Sequence, residues 1–289
     1  MDVVINLNKP KDISSQQAVI KVKKLFGAKK AGHAGTLDPI ATGILIVCLN
    51  QATKVTRFLS DLDKEYMVGM KLGERTDTGD LTGRILEEKN CFPLKEVDVH
   101  RVLENFIGNI KQIPPMYSAI KVKGQPLYKL ARMGIEIQRP ERLIQIYGID
   151  LLRFDQPYLV LKISCSKGTY IRTLCDDIGK ALHVGAHMIS LKRTRVGKFR
   201  IEDSASLEEL KYGKDAIHSI DSAIAHLNEI ILDEESYQKI RKGMPVIMIT
   251  AKLPLKHIKH YVRLKGPENE LFAIGRVEQD RITVERLLN

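Results

Sequence analysis

The chain has 289 residues, 44% hydrophobic and 28% charged, and carries a formal net charge of +11. That is the balance of a soluble globular protein with room for one large and one small domain. No apolar run approaches the roughly 20 residues needed to cross a bilayer, and residues 1–6 lack a signal-peptide core, so a cytoplasmic protein is expected, neither exported nor membrane-embedded. The excess of Lys and Arg points to a polyanionic partner, because each cation placed on a phosphate releases a counterion; a generally basic proteome would give the same excess. The four cysteines, Cys48, Cys91, Cys165 and Cys175, form no Cys-x-x-Cys pair and no zinc-spaced cluster with His. A reducing compartment suits them.

Residues 3–8 read as a strand that Lys9-Pro10 ends. Ser14 and Gln17 have capping-box spacing, and Ala18, Val22, Leu25 and Phe26 then share a helical face that Gly27 stops. Lys21, Lys23 and Lys24 lie opposite, with Lys29 and Lys30 beyond; that is an ordinary solvated face or, immediately before the loop over 32–43, a phosphate-contacting one. Residues 32–43 hold three glycines, one proline and two threonines, which no regular helix or central strand accommodates. The next six residues, Ile44 to Leu49, are all apolar, as in a strand buried on both faces. A polar loop anchored by a core strand is a common setting for catalytic groups, and this one carries His33 and Asp38. On spacing alone Asp38 is a turn aspartate before proline.

A helix over 53–59 precedes a strand over 64–73 that places Tyr66, Val68, Met70 and Leu72 on one face. Residues 76–80 read as a turn with an Asx hydrogen bond, since a calcium loop needs more spaced oxygen ligands and a terminal glutamate. No phosphate-binding Gly-x-x-x-x-Gly-Lys-Ser/Thr or dinucleotide-type Gly-x-Gly-x-x-Gly occurs, so no cofactor is expected. Residues 97–107 suit a helix. A basic stretch interleaved with aromatics comes next, with Tyr117, Lys121, Lys123, Tyr128, Lys129, Arg132, Arg139 and Arg142, and a short helix over 127–132 closed by Gly134. Residues 159–165 alternate as a strand and 170–182 as an amphipathic helix. Arg172 falls in the first turn of that helix, where the dipole disfavours a cation, so it calls for a carboxylate partner. Residues 191–199 form a basic strand containing Arg193. From about 232 the pattern changes to a helix over 234–241 and short strands over 246–250, 261–264, 271–277 and 282–287.

Five blocks carry a family resemblance. They are Gly32-His33-Ala34-Gly35-Thr36-Leu37-Asp38-Pro39-Ile40-Ala41-Thr42-Gly43-Ile44-Leu45; Lys64-x-Tyr66 with Leu72-Gly73-x-x-Thr76-Asp77-Thr78-Gly79-Asp80-x-x-Gly83; Pro114-Pro115-Met116-Tyr117-Ser118-Ala119-Ile120-Lys121-Val122 with Leu127-Tyr128-x-x-Ala131-Arg132; Cys165 to Arg172; and Leu191 to Phe199. In order and together, they closely resemble the TruB-type tRNA pseudouridine synthases. The resemblance implies a catalytic domain over 1–231 with a mixed, largely antiparallel sheet flanked by helices (an α/β, or α+β, fold). It implies an RNA-gripping insertion at about 112–142 and a small PUA-like β-barrel domain over 232–289. It implies Asp38 as nucleophile, Arg172 paired with it, and Tyr66 stacked on the target uracil with a part in moving the C5 proton. The substrate implied is the T-loop uridine at tRNA position 55, modified by a monomer without a guide RNA, as in the stand-alone bacterial members.

Pseudouridine formation breaks the N1–C1′ bond, turns the uracil and rejoins it through C5. This isomerisation needs a carboxylate, a counter-charge, a stacking surface and exclusion of water, but no cofactor or metal. A uridine in a folded loop must leave its stack to be reached, and His33 is a candidate to fill the vacated space, or a loop histidine bonding backbone. Lys64, Lys121, Lys123, Arg132 and Arg193 are the expected RNA contacts. Two other classes compete. A non-catalytic RNA-binding protein explains the charge but not the Asp38, Tyr66 and Arg172 set. A glycoside hydrolase needs two carboxylates about one bond, and the motif supplies one.

Overall fold

The computed structural model describes residues 1–89, 93–118, 120–122, 124–212, 215–247 and 260–288. In chain order its strands are β1 (Val3–Lys9), β2 (Ala31–His33), β3 (Thr42–Leu49), β4 (Lys64–Leu72), β5 (Glu74–Thr76), β6 (Ile85–Glu88), β7 (Gly108–Gln112), β8 (Lys121–Val122), β9 (Gln125–Pro126) and β10 (Arg142–Asp155). They continue with β11 (Tyr158–Cys165), β12 (Ala186–Val196), β13 (Phe199–Arg200), β14 (Ile217–Ser219), β15 (Asn228–Ile231), β16 (Val246–Ile247), β17 (Tyr261–Lys265), β18 (Leu271–Glu278) and β19 (Arg281–Leu287). The helices are α1 (Ser15–Leu25), α2 (Thr56–Ser60), α3 (Glu96–Glu104), α4 (Leu127–Arg132), α5 (Ile171–Ala181), α6 (Ile220–Ala223) and α7 (Glu234–Arg241).

The main sheet runs β14-β1-β3-β12-β4-β11-β10-β7, with β2 beside β3 and β13 beside β12. Its pairings are antiparallel except β12 with β3, where Arg193 lies opposite Gly43. This is the mixed, largely antiparallel sheet with helices that was expected. The apolar run of β3 has its reason in two layers. Leu45, Val47 and Leu49 pack with Ala18, Val19 and Val22 of α1, while Ile44, Ile46 and Cys48 pack with Phe58 and Leu59 of α2. A strand covered on both faces has no polar face to alternate with. On α1, Val19 is buried and Leu25 is 38% exposed, so the helical face is rotated from the one expected. The capping box forms as its spacing predicts: Ser14 Oγ accepts from Gln17 N at 3.1 Å, and Gln17 Oε1 accepts from Ser14 N at 2.8 Å. Such caps contribute about 1 kcal/mol.

A second, curled sheet runs β15-β17-β18-β19-β16 and is the small C-terminal β unit expected. It begins before residue 232, because Asn228–Ile231 pairs in parallel with β17 and buries Ile230 in the second core. The last three positions of the strand expected over 246–250 lie outside the described residues, as do Cys91 and Lys123. The two sheets share packing. Ile274 and Leu288 join the cluster of Ile44 and Phe58. The Phe58 and Tyr261 rings meet edge-on at 5.2 Å, and Arg57 lies over both rings while pairing with Glu285 at 2.8 Å. The main sheet therefore uses the C-terminal sheet as part of its own core.

Candidate active site

The loop between β2 and β3 is fixed by its neighbours. Ser15, 2% exposed at the start of α1, uses one hydroxyl for both backbone groups of Leu37: it accepts from Leu37 N and donates to Leu37 O, each at 2.8 Å. Lys9, fully buried at the end of β1, donates to the carbonyls of Pro10 and Ile13 at 2.8 Å and of Pro39 at 3.3 Å. Burial pushes its ammonium down to about 8, with Asp38 pulling the other way. The loop returns to the sheet at Gly43, whose φ is +94° and where a Cβ would lie 2.3 Å from Arg193 O. Only glycine fits there. Asp38 is thus held from both sides of its own loop.

Arg172 meets Asp38 in a two-point contact. Its Nε lies 3.0 Å from Asp38 Oδ2 and its Nη2 3.5 Å from Asp38 Oδ1. The remaining donors are also taken: Nη1 donates to Thr78 O at 3.1 Å and Nη2 to Tyr117 O at 2.7 Å. Asp80 Oδ2 stands 3.7 Å from Nη1. Asp80 is itself fixed, since its Oδ1 accepts from Thr82 N at 3.0 Å and from the hydroxyls of Thr78 and Thr82. Two carboxylates therefore answer the one cation in the first turn of α5. The Arg172 side chain is 8% exposed while that of Asp38 is 34% exposed, so the arginine is scaffold and the carboxylate is what a ligand reaches. Burial raises the Asp38 carboxyl above the usual aspartate range; Arg172 opposes this, Asp80 adds to it and Lys9 opposes it.

Asp38 opens into a cavity of about 320 Å³ lined by Leu37, Tyr66, Tyr117, Tyr170, Arg172 and Leu191, among others. That is the small end of the range for small-molecule sites. Tyr66 is 8% exposed, and burial raises its phenol, with the Arg193 guanidinium working against that. Lys64 and Arg193 also line the cavity, but they are bonded within the protein, chiefly to carbonyls, and Arg193 also faces the Tyr66 hydroxyl. Lys64 donates to Ser60 O and Leu62 O, and burial with the nearby Arg193 pushes it down to about 8. Arg193, 1% exposed, donates from Nε to Ile44 O at 2.8 Å and from Nη2 to Gly35 O at 3.0 Å. It braces the Asp38 loop against β12. His33 is half-buried in β2, its Nδ1 has no partner among the described residues, and burial and Arg193 lower its pKa. Among the described residues, no group of three or more His, Cys, Asp or Glu could hold a metal ion.

Comparison with known proteins agrees with this architecture. The family model described as TruB family pseudouridylate synthase (N terminal domain) matches residues 23–171, and that of the tRNA pseudouridylate synthase B C-terminal domain matches 172–237. The chain belongs to the TruB family of pseudouridylate synthases. It is 45% identical to a Clostridium tetani protein named tRNA pseudouridine synthase B, covering 100% of both chains. A Pelotomaculum thermopropionicum protein of the same name is 41% identical, with 99% of this chain and 95% of that one covered. Among solved structures, a Cbf5-Nop10-Gar1 complex superposes with a TM-score of 0.79 at 28% identity, covering 99% of this chain and 85% of that one. An H/ACA RNP bound to a substrate RNA containing 2'-deoxyuridine gives 0.76 at 26% identity over 99% and 85%. TruB family members are isomerases, and the Asp38 cavity is this chain's candidate for that chemistry.

Of the other expected contacts, Lys121 and Arg132 are described, and neither lines the cavity. Gln112 at the end of β7 pairs with Arg142 at the start of β10, so the chain between them leaves the sheet and returns at one place. On this excursion Lys121 is exposed on β8, and Arg132 is exposed at the end of α4 with its guanidinium 5.7 Å from the Tyr128 ring centroid. Two residues close to the Asp38–Arg172 pair, Ser15 and Gln112, carry no local sign of their contacts, and a third, Asp80, carries only part of one. Asp80 is the turn residue that its spacing predicts, and its second oxygen also faces an arginine far along the chain. Among the described residues no helix is long and apolar enough to cross a membrane.

Proposed function

We propose that the chain converts the T-loop uridine at tRNA position 55 to pseudouridine, with Asp38 as the reacting carboxylate and the target base flipped out of its loop. The observation that carries this is the two-point contact of Arg172 on Asp38 at the mouth of a cavity whose wall is Tyr66. A guanidinium fork fixes both the charge and the direction of a carboxylate, which a lysine cannot do. The ionised carboxylate can then attack the sugar, attack the base or remove a ribose proton. Arg172 keeps the negative charge in place until that step, and Tyr66 offers a flat surface for the uracil. The names of the curated relatives support tRNA as substrate. A base reaches the cavity only after unstacking, which costs least for loop nucleotides.

The exposed cations and aromatics of the excursion between Gln112 and Arg142, including Lys121 and Arg132, with Lys123 on the same stretch, supply phosphate and stacking contacts in this reading. The C-terminal sheet adds RNA affinity. In this reading the chain acts as a monomer, in the cytoplasm and without a guide RNA; full-length identity to proteins named for tRNA supports the substrate. Release of tritium from C5-labelled uridine in an unmodified tRNA transcript tests the reaction. The expected result is stoichiometric release of one tritium per tRNA, abolished when uridine 55 is replaced by cytidine. Release that survives that replacement contradicts the site assignment, and no release contradicts the reaction.

A further inference from the structure

Gln112 stands where the excursion joins the sheet, yet its side chain is turned the other way. It is 2% exposed, and its amide makes two hydrogen bonds to a single residue. Gln112 Oε1 accepts from Tyr170 N at 2.8 Å, and Gln112 Nε2 donates to Tyr170 O at 3.0 Å. This is the bonding of a β-bridge, made by a side chain. Tyr170 is the N-cap of α5 and has no side-chain cap of its own. Arg172 lies two residues later. The start of the arginine's helix is therefore held by an amide from another segment, 58 residues earlier. The same segment touches the arginine directly, because Tyr117 O accepts from Arg172 Nη2 at 2.7 Å.

The choice of glutamine follows from its two kinds of atom. It offers one acceptor and one donor at a spacing that fits both backbone groups of one residue. Glutamate would set a carboxylate oxygen against Tyr170 O. Asparagine is one methylene short. An apolar residue would leave a buried N–H and C=O unpaired. Nothing in the proposed chemistry uses Gln112 itself, which does not line the cavity. Its contacts act on the placement of Arg172.

On the proposed reaction, we propose that Gln112 is a positioning residue: it fixes the first turn of α5 so that Arg172 meets Asp38 at two points, and it ties that contact to the foot of the RNA-gripping excursion. Loss of a single positioning contact can lower a rate by about 10²-fold while binding is kept.

The test measures single-turnover pseudouridine formation at saturating unmodified tRNA across pH, with filter binding in parallel. It uses the full chain and Gln112→Ala, each alone and with Arg172→Lys. Gln112→Ala is expected to lower the rate by roughly 10- to 100-fold while the Kd for tRNA stays near that of the parent. The acid limb of its pH profile should move to higher pH. Asp38 is faced by Arg172, Lys9 and Asp80, and a poorly aimed Arg172 weakens the larger of the two cationic influences that oppose its desolvation. In the Arg172→Lys background the added loss should be less than about twofold, because no fork remains to be aimed. A rate for Gln112→Ala equal to the parent's overturns the proposal. So does an equal loss in both backgrounds with an unmoved acid limb, which would make Gln112 a support of the fold alone. If Gln112→Ala does not fold, Gln112→Glu, which keeps the volume and the bond from Tyr170 N, carries the same expectations. Tritium release by the unsubstituted chain decides the proposed function separately.

Discussion

The molecule holds two sets of cations, and they are treated in opposite ways. Around the Asp38 loop, Lys9, Arg172 and Arg193 are buried and give hydrogen bonds to protein carbonyls, with Arg172 also on Asp38. Lys64 is buried and bonded to two carbonyls as well. On the excursion between Gln112 and Arg142, Lys121, Lys129, Arg132 and Arg142 are exposed. The first set is preorganised: a charge held by fixed partners costs little to reorganise when a reaction develops charge beside it. The second set is solvated and free to follow a phosphate backbone. A chemical step needs the first arrangement and a grip on a polyanion needs the second. Substitutions in the first set should therefore change the rate at saturation, and those in the second the affinity.

The sharpest break in that contrast is Arg172→Lys. Charge is kept, but the fork that serves Asp38, Thr78 O and Tyr117 O is lost. The single-turnover rate should fall by about 10²- to 10³-fold, the scale for one preorganised donor, with tRNA affinity unchanged. A near-normal rate would make the pairing merely electrostatic. The pH profile comes next. Because burial lifts the Asp38 carboxyl in the folded protein, protonation sets in from a higher pH than for a solvated aspartate. Activity should be fully present above that raised pKa and lost as pH falls through it. An acid limb at or below the ordinary aspartate pKa of about 3.9 would mean that Arg172 outweighs desolvation. The smallest effect belongs to the second set. Lys121→Ala with Arg132→Ala should weaken binding by roughly tenfold at low salt and reduce the salt slope by between one and two. The rate at saturating tRNA should stay put; a fall in that rate would erase the division between the two sets.

The C-terminal sheet complicates any test by truncation. Tyr261, Ile274 and Leu288 pack with Phe58 and with Ile44, Ile46 and Cys48 of β3, so removing it would uncover core residues as well as the proposed RNA contacts. Surface substitutions on that sheet are the cleaner probe of its affinity for RNA.

What is legible in the chain is local. The Ser14 capping box, α4 and α7 depend on neighbouring residues and stand where the spacing puts them. The loop of Asp38 announces itself by glycine and proline. Strand β10, at 14 residues, is not legible, because bulges at 146–148 and 151–153 interrupt its alternation. Ser15 is hidden by its neighbour Ser14, which explains the helix start by itself; the partner of Ser15, Leu37, lies 22 residues away. Lys64 and Arg193 are expected on RNA as cations within the blocks that carry the family resemblance. A signal against an outward position is present for both, since Lys64 shares the parity of Tyr66 and Val68 in β4, and Arg193 that of Leu191 in β12. A cation on the apolar parity of a strand is better expected to bond protein carbonyls than to reach out to a phosphate.

The central claim is that Asp38 does the chemistry and that binding lies elsewhere. Asp38→Asn tests it with the least disturbance, since the amide is nearly isosteric and the clamps from Ser15 and Lys9 act on Leu37 and Pro39 rather than on the side chain. The measurement is single-turnover pseudouridine formation on unmodified tRNA, with Kd taken by filter binding on the same preparation. The account predicts no detectable product and a Kd equal to that of the parent chain. Product formed at an appreciable fraction of the parent rate would contradict it.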